Sequence, residues 1–451
     1  MDSAGNGPSS GPPEMRSVPS QGAYSKTLLV LSAVNILNFY DRNLLGALAE
    51  PIRKEFALTD TQLGLLGSVF IWLYAIVGLP LGALADRWSR KRLLAAGMLV
   101  WSVLTVVGAG AINYSMLLVS RLGFAMGEAA VAPTATSWLG DLFPAKKRAR
   151  PLALFMLGVP VGGALAFIFS GPMAQAYGWR AAMVLAAAPA ALLLPLLWGL
   201  HEPERGAADN YRGPVARGSL FTVLRVPTLW WIIASGALMN FNMYALATFM
   251  PALLSRIHKL SLANSGLGTG VAYAIGGVAG GLFAGWLGDH IASKSKNGRL
   301  LYAGIISLIG APAFYFGITS ERVFLAILFL TAGYFTCCSY YGLVYSSIQD
   351  IVSPAMRGTT MAVYFMAMYL CGASFGPVLT GRLSDIMAHR AAEAAGSTVT
   401  EAFRAVGLQQ AMLVMPVLSV LLGVVLYCGS RTITKDIELR DAELEMTLRA
   451  S

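Results

Sequence analysis

The chain has 451 residues, of which 56% are hydrophobic and 12% charged, and its mean hydropathy is +0.62. A soluble domain carries about twice that share of charge, so the composition excludes a soluble protein of this length and implies a bilayer as solvent. The formal net charge of +10 does not mark a nucleic-acid partner, because Lys and Arg fall in short clusters between apolar runs, where lipid headgroups and membrane topology account for them.

Residues 1–25 are rich in Ser, Gly and Pro, lack an apolar core and read as a disordered tail rather than a signal peptide. Apolar runs long enough to span a bilayer as helices then follow near 26–48, 61–85, 92–112, 115–141, 150–173 and 179–200. A polar linker, 201–227, separates them from a second set near 228–255, 264–289, 299–318, 322–346, 357–383 and 404–429. The expected fold is an all-α membrane protein of twelve transmembrane helices in two six-helix halves, 26–200 and 228–429. The closing segment, 430–451, has spaced Ile437, Leu439, Leu444 and Leu448 and reads equally as a surface amphipathic helix or a disordered tail.

Twenty-two of the 33 basic residues fall on one side of this layout and nine on the other, the remaining two, Arg42 and Arg121, lying within helices. By the positive-inside rule both termini and the linker are cytoplasmic, and the short loops suit a bacterial plasma membrane. The halves also repeat. Gly82-Ala-Leu84-Ala-Asp86 closes the second helix and Gly285-Trp-Leu287-Gly-Asp289 the eighth. Asp141, Arg148, Ala153 and Gly163 reappear as Asp350, Arg357, Ala362 and Gly372 at a constant offset of 209. Duplicated halves are the architecture of alternating-access carriers.

The loop Gly82-Ala-Leu-Ala-Asp86-Arg87-Trp-Ser-Arg90-Lys91-Arg92 resembles the signature loop of the major facilitator superfamily. Within it, Asn35-Ile-Leu-Asn38-Phe-Tyr40-Asp41-Arg42, Arg121 with Gly127-Glu128-Ala129, Asp141-Leu-Phe, and His201-Glu-Pro-Glu-Arg205-Gly look like the spinster family, whose members move lysophospholipids and sphingosine-1-phosphate. The match covers about the first 205 residues, and organic-anion symporters share parts of it. The resemblance implies gating roles for Asp86, Arg90, Asp141, Arg148, Asp289 and Arg357. By the internal symmetry, Asp86 is expected near Arg357 and Asp289 near Arg150, closing the cytoplasmic side in the outward-open state.

Charges within a membrane helix are costly unless they face a polar cavity or a partner, which makes them functional candidates. Asp41, Arg42 and Arg121 share a similar depth, and Glu128 lies two turns beyond Arg121 on the same helix, expected to face the same cavity. Arg42 and Arg121, with Asn38, are candidate contacts for an anionic headgroup. Asp41 and Glu128 are candidates for proton coupling, with a pairing of Asp41 to Arg121 or Arg42 in view. The competing reading makes all four a buried structural ion-pair network. The second half shows no matching intramembrane charge. Its polar and aromatic residues suggest a wall for an acyl chain, with Asn240 and Tyr345 as the preferred contacts.

The chain has no phosphate loop, nucleotide fingerprint or metal-ligand spacing, so neither an enzyme nor a cofactor is expected. The implied function is secondary active transport, as a monomer coupled to protons, of a lysolipid. A proton-coupled symporter of a small organic anion such as a sugar acid is the alternative, and a channel or receptor the alternative of another class.

Overall fold

The computed structural model describes residues 21–85, 87–143, 149–204, 223–292, 295–353 and 356–450. Among them the chain forms twelve helical rods and no strand. In the first half these are α1 (Gln21–Ala47, continued by Ala49–Glu55), α2 (Asp60–Ala85), α3 (Arg90–Ala109), α4 (Tyr114–Glu128 and Val131–Leu142), α5 (Ala149–Met156 and Gly158–Tyr177) and α6 (Trp179–Trp198). In the second half they are α7 (Pro227–Ile257), α8 (Leu262–Val271, a π-helical turn Ala272–Gly276, then Gly277–Ala292), α9 (Gly298–Thr319), α10 (Val323–Asp350), α11 (Arg357–Met368, a π-helical turn Tyr369–Ala373, then Phe375–Ala394) and α12 (Glu401–Met412 and Val414–Ala450).

Eleven of the rods hold a stretch long and apolar enough to cross a membrane. The other is α1, whose middle carries Asn35, Asn38, Asp41, Arg42 and Asn43. Local chemistry sets the starts. Asn113 accepts from Met116 N at 2.8 Å to cap α4, Ser261 accepts from Asn264 N to cap α8, and Pro227 occupies the first turn of α7, where no donor is needed. Gly178, at φ +85°, makes the tight turn from α5 into α6.

Several rods run further than their hydropathy suggests. The helices α7 and α11 reach Ile257 and Ala394 rather than 255 and 383. That places Arg256 in the last turn of α7 and Asp385 on α11. The last helix continues past 429 to Ala450. Ile433 and Ile437 are buried in the second-half core, and Asp436 accepts from Thr228 N at 2.9 Å, capping the start of α7. The first turns beyond residue 429 are thus docked on α7.

The halves touch at one end and separate at the other. A Cβ added to Gly64 of α2 would lie 2.2 Å from Pro377 O of α11, and one on Gly381 would lie 2.1 Å from Asp60 O, so backbone meets backbone there. Further along the same two rods, a Cβ on Gly78 or Gly358 meets nothing within 4 Å. The pair α5 and α8 behaves alike: Gly171 abuts Leu262 O and Gly266 abuts Phe167 O, whereas Gly281 and Gly285 have open space. The closed end carries the loops around residues 57–59, 258–261 and 395–400. The open end carries the Lys and Arg clusters.

Candidate functional site

The four flagged charges do come together, but not as one cavity-facing group. Arg42 Nε of α1 donates to Glu128 Oε2 of α4 at 2.9 Å, with Glu128 wholly buried. Asp41, one residue earlier, faces another way and accepts from Trp101 Nε1 of α3 at 3.1 Å. Its other oxygen, like Glu128 Oε1 and Asn38 Nδ2, has no hydrogen-bond partner among the described residues. The expected pairing of Asp41 with an arginine is therefore replaced by an indole contact. Adjacent residues on a helix are about 100° apart, so Asp41 and Arg42 cannot share a face.

A cavity lies between the halves, and Arg42 and Arg121 are both on its wall. The wall includes neither Asp41 nor Glu128, which correct the expectation that Glu128 looks into the same space: the carboxylates stand behind the arginines. Arg42 is held by aromatic faces, with Cζ 4.2 Å from the Tyr74 ring and 4.8 Å from the Phe39 ring. Arg121 Cζ lies 4.3 Å from the Phe124 ring and 5.2 Å from the Phe70 ring. Its Nε is buried and has no hydrogen-bond partner among the described residues. A guanidinium kept in place by ring faces and short of acceptors is suited to an incoming anion.

The remaining wall is largely apolar, with Asn43, Tyr244, Thr248, Tyr273 and Tyr334 as polar members. Sequence reasoning missed Asn43, Thr248 and Tyr273. The spacing of Tyr244 and Thr248, one turn apart on α7, was the available signal. Tyr273 is carried by the π-helical turn of α8 and stacks on Tyr334 with centroids 4.0 Å apart, and such turns concentrate at functional sites. Neither Asn240 nor Tyr345 is on the wall. Asn240 donates to Gly236 O and accepts from Tyr341 OH within the second half, and Tyr345 packs among Tyr341, Tyr364 and Phe365.

The closed end is sealed by charge. Arg256 of α7 donates to both oxygens of Asp60 of α2, each at 2.7 Å, and to Glu50 at 2.7 Å. Arg53 reaches Glu50 at 3.1 Å and Glu401 of α12 at 2.6 Å. Asp385 of α11 accepts from the backbone N–H groups of Asp60 and Thr61, capping α2 from the other half. All these contacts except Arg53 to Glu50 join one half to the other.

At the open end the flagged residues pair within their own halves. Arg90 contacts Asp141 and, at 3.3 Å, Glu202. Arg299 contacts Asp350 in the second half, at the same offset of 209 from Arg90 and Asp141. Glu202 also accepts from Ser89 Oγ at 2.6 Å and from the N–H groups of Arg90 and Lys91, closing the start of α3. Arg357 is exposed and donates to Gln349 O. Asp86, Arg148 and the side chain of Asp289 lie outside the described residues.

Two pseudo-repeated six-helix halves around a central cavity define a secondary transporter. The family model of the Major Facilitator Superfamily matches residues 31–377. An MFS-type efflux pump of Mycolicibacterium smegmatis is 32% identical over 360 residues, covering 79% of this chain and 83% of its own. Spinster homolog 3 of Danio rerio is 28% identical, covering 83% of this chain and 79% of its own. In solved structures, a bacterial homolog of the human lysosomal transporter spinster, in an inward-facing and occupied conformation, superposes with a TM-score of 0.82 at 27% identity, over 93% of this chain and 99% of the other. The chain belongs to the Major Facilitator Superfamily and is of the spinster type within it: a multi-pass membrane transporter, not an enzyme.

Proposed function

We propose that the protein moves an anionic or zwitterionic lysolipid across the membrane by alternating access, with proton coupling. The observation that carries this reading is the pair of arginines on the wall of a mostly apolar cavity, Arg121 having a buried Nε with no partner among the described residues. Arg42 and Arg121 take the phosphate or other anionic head, and the apolar wall takes the rest. Behind them, Glu128 on Arg42 and Asp41 on Trp101 each keep one oxygen without a hydrogen-bond partner among the described residues, the arrangement a proton carrier needs.

With the basic end in the cytoplasm, as the Lys and Arg distribution favours, this conformation is open inward and sealed outward by the Arg256 group. The mirror state would break that group and close the open end, where Asp86, Asp289, Arg90, Asp141, Arg148 and Arg357 are the gating candidates. Both termini are then cytoplasmic, a bacterial inner membrane is the setting, and the working unit is the monomer. The domain division follows the same reading, with halves 26–200 and 228–429 rocking about the cavity and 201–227 linking them.

The test is uptake of labelled lysophospholipid and of a labelled sugar acid into proteoliposomes, with and without an imposed pH gradient. Saturable, gradient-sensitive lysolipid uptake that is lost in Arg121→Ala supports the reading. Uptake of the sugar acid alone overturns the lipid assignment, and a unitary current overturns the carrier.

A further inference from the structure

The three tyrosines on the cavity wall differ in what surrounds their hydroxyls. That of Tyr244 has Arg42 and Tyr369 beside it, and that of Tyr334 has the Cys338 thiol. The hydroxyl of Tyr273 has no hydrogen-bond partner among the described residues, although the residue is only 2% exposed. Its ring is fixed on two sides. It stacks on Tyr334 at 4.0 Å between centroids and meets Phe167 of α5 at 4.9 Å. The first half is cut back to receive it, since a Cβ on Gly163 of α5 would lie 2.9 Å from Tyr273 Cδ1 and 3.3 Å from Asn43 Nδ2. The ring thus crosses from α8 into a niche shared with Asn43, the residue that follows Arg42 on α1.

Phenylalanine would serve the packing equally well. A buried hydroxyl without a partner costs stability, and the chain places one on the same wall as its two arginines. The π-helical turn Ala272–Gly276 bears it, a departure from α geometry that concentrates at functional sites. We propose that Tyr273 is a specificity-determining residue, its hydroxyl donating to the anion that Arg42 and Arg121 hold, so that the bound anion is ligated from both halves. This rests on the reading that the arginines bind the anion. It goes further by naming the donor of the second half and by making an occupied site a tie between the halves. A phosphate head offers three terminal oxygens to these three donors, whereas an uncharged apolar ligand of the same shape leaves the hydroxyl unpaired and is rejected.

The experiment is equilibrium binding of ethyl phosphate to the full chain in lipid nanodiscs, together with thermal melts of the ligand-free protein. Tyr273→Phe keeps the ring against Tyr334 and Phe167 and removes only the oxygen. Its affinity for ethyl phosphate should fall about tenfold, as for one hydrogen bond to a charged group. Its ligand-free Tm should stay or rise, because an unpaired buried hydroxyl has been removed. These opposite signs separate binding from scaffolding. An unchanged affinity, or a fall in affinity accompanied by a lower ligand-free Tm, would overturn the role of Tyr273. Arg121→Ala separates this from the parent reading: ethyl phosphate binding indifferent to that change sinks the anion site, whereas its loss there with full retention in Tyr273→Phe sinks only the hydroxyl contact.

Discussion

Arg256 and Asp60, 196 residues apart, face each other across the two halves as a fork on a fork, with two N–H to oxygen contacts of 2.7 Å each. Ser384 of the second half adds a third donor to Asp60 at 2.6 Å. Removing one member of a buried pair costs about 3–5 kcal/mol, and only the state closed at this end bears it. Arg256→Gln should therefore shift the balance toward the opposite state by on the order of a hundredfold. The check is labelling of Leu63→Cys, in a background without the four native cysteines, by an impermeant thiol reagent added at the closed end. Faster labelling in the Arg256 variant is expected, and an unchanged rate would remove this group from the gate.

Glu128 and Asp41 are tied to different partners, so their variants should differ in binding while agreeing in coupling. Glu128→Gln leaves the charge of Arg42 unmatched and should tighten or preserve anion binding, whereas Asp41→Asn should leave it nearly unchanged. Both should abolish uphill uptake driven by a pH gradient while retaining exchange of substrate for substrate. Gradient-driven uptake surviving in both would exclude them as proton carriers.

Among the described residues Arg121 makes no ion pair of its own, so its truncation removes a ligand more than a scaffold. Arg121→Ala should raise KM for an anionic substrate by about tenfold to a hundredfold, the value of one to two charge-assisted hydrogen bonds. Thermal unfolding of the purified variant should shift little, and a large drop in Tm would instead support the buried structural network.

Glu202 offers a pH test outside the membrane. Burial pushes its carboxyl up, but hydrogen bonds from Ser89, from the backbone of Arg90 and Lys91 and from the Arg90 side chain pull it further down, so it stands below the ordinary 4.5. A depressed carboxylate contributes stability that is complete above the unfolded value and is lost as pH falls through the folded one. Glu202→Gln should lower stability by about 1–2 kcal/mol near neutrality, the value of a helix cap. The difference from the native chain should shrink in thermal melts carried below pH 4.5. A constant difference across that range would show that the charge is not what holds the start of α3.

Much of the molecule is legible without coordinates, because a bilayer constrains sequence so severely. Runs of apolar residues count out the rods, Lys and Arg sort the ends, and Asp41, Arg42, Arg121 and Glu128 stand out since a charge in hydrocarbon needs a reason. The offset of 209 shared by Asp141 and Asp350 reveals the duplication. What a linear pattern conveys poorly is azimuth, and azimuth separates Arg42 on the cavity wall from Asp41 against Trp101. Nor does it pair distant segments: Glu50, Arg53, Asp60, Arg256 and Glu401 each read as an ordinary charge near a helix end, and only the packing of α2 on α11 and of α7 on the first half joins them into a seal. Depth in the membrane is a local property, written in spacing and hydropathy, whereas facing and partnership depend on how twelve rods rotate and close on one another, which tertiary contact alone decides.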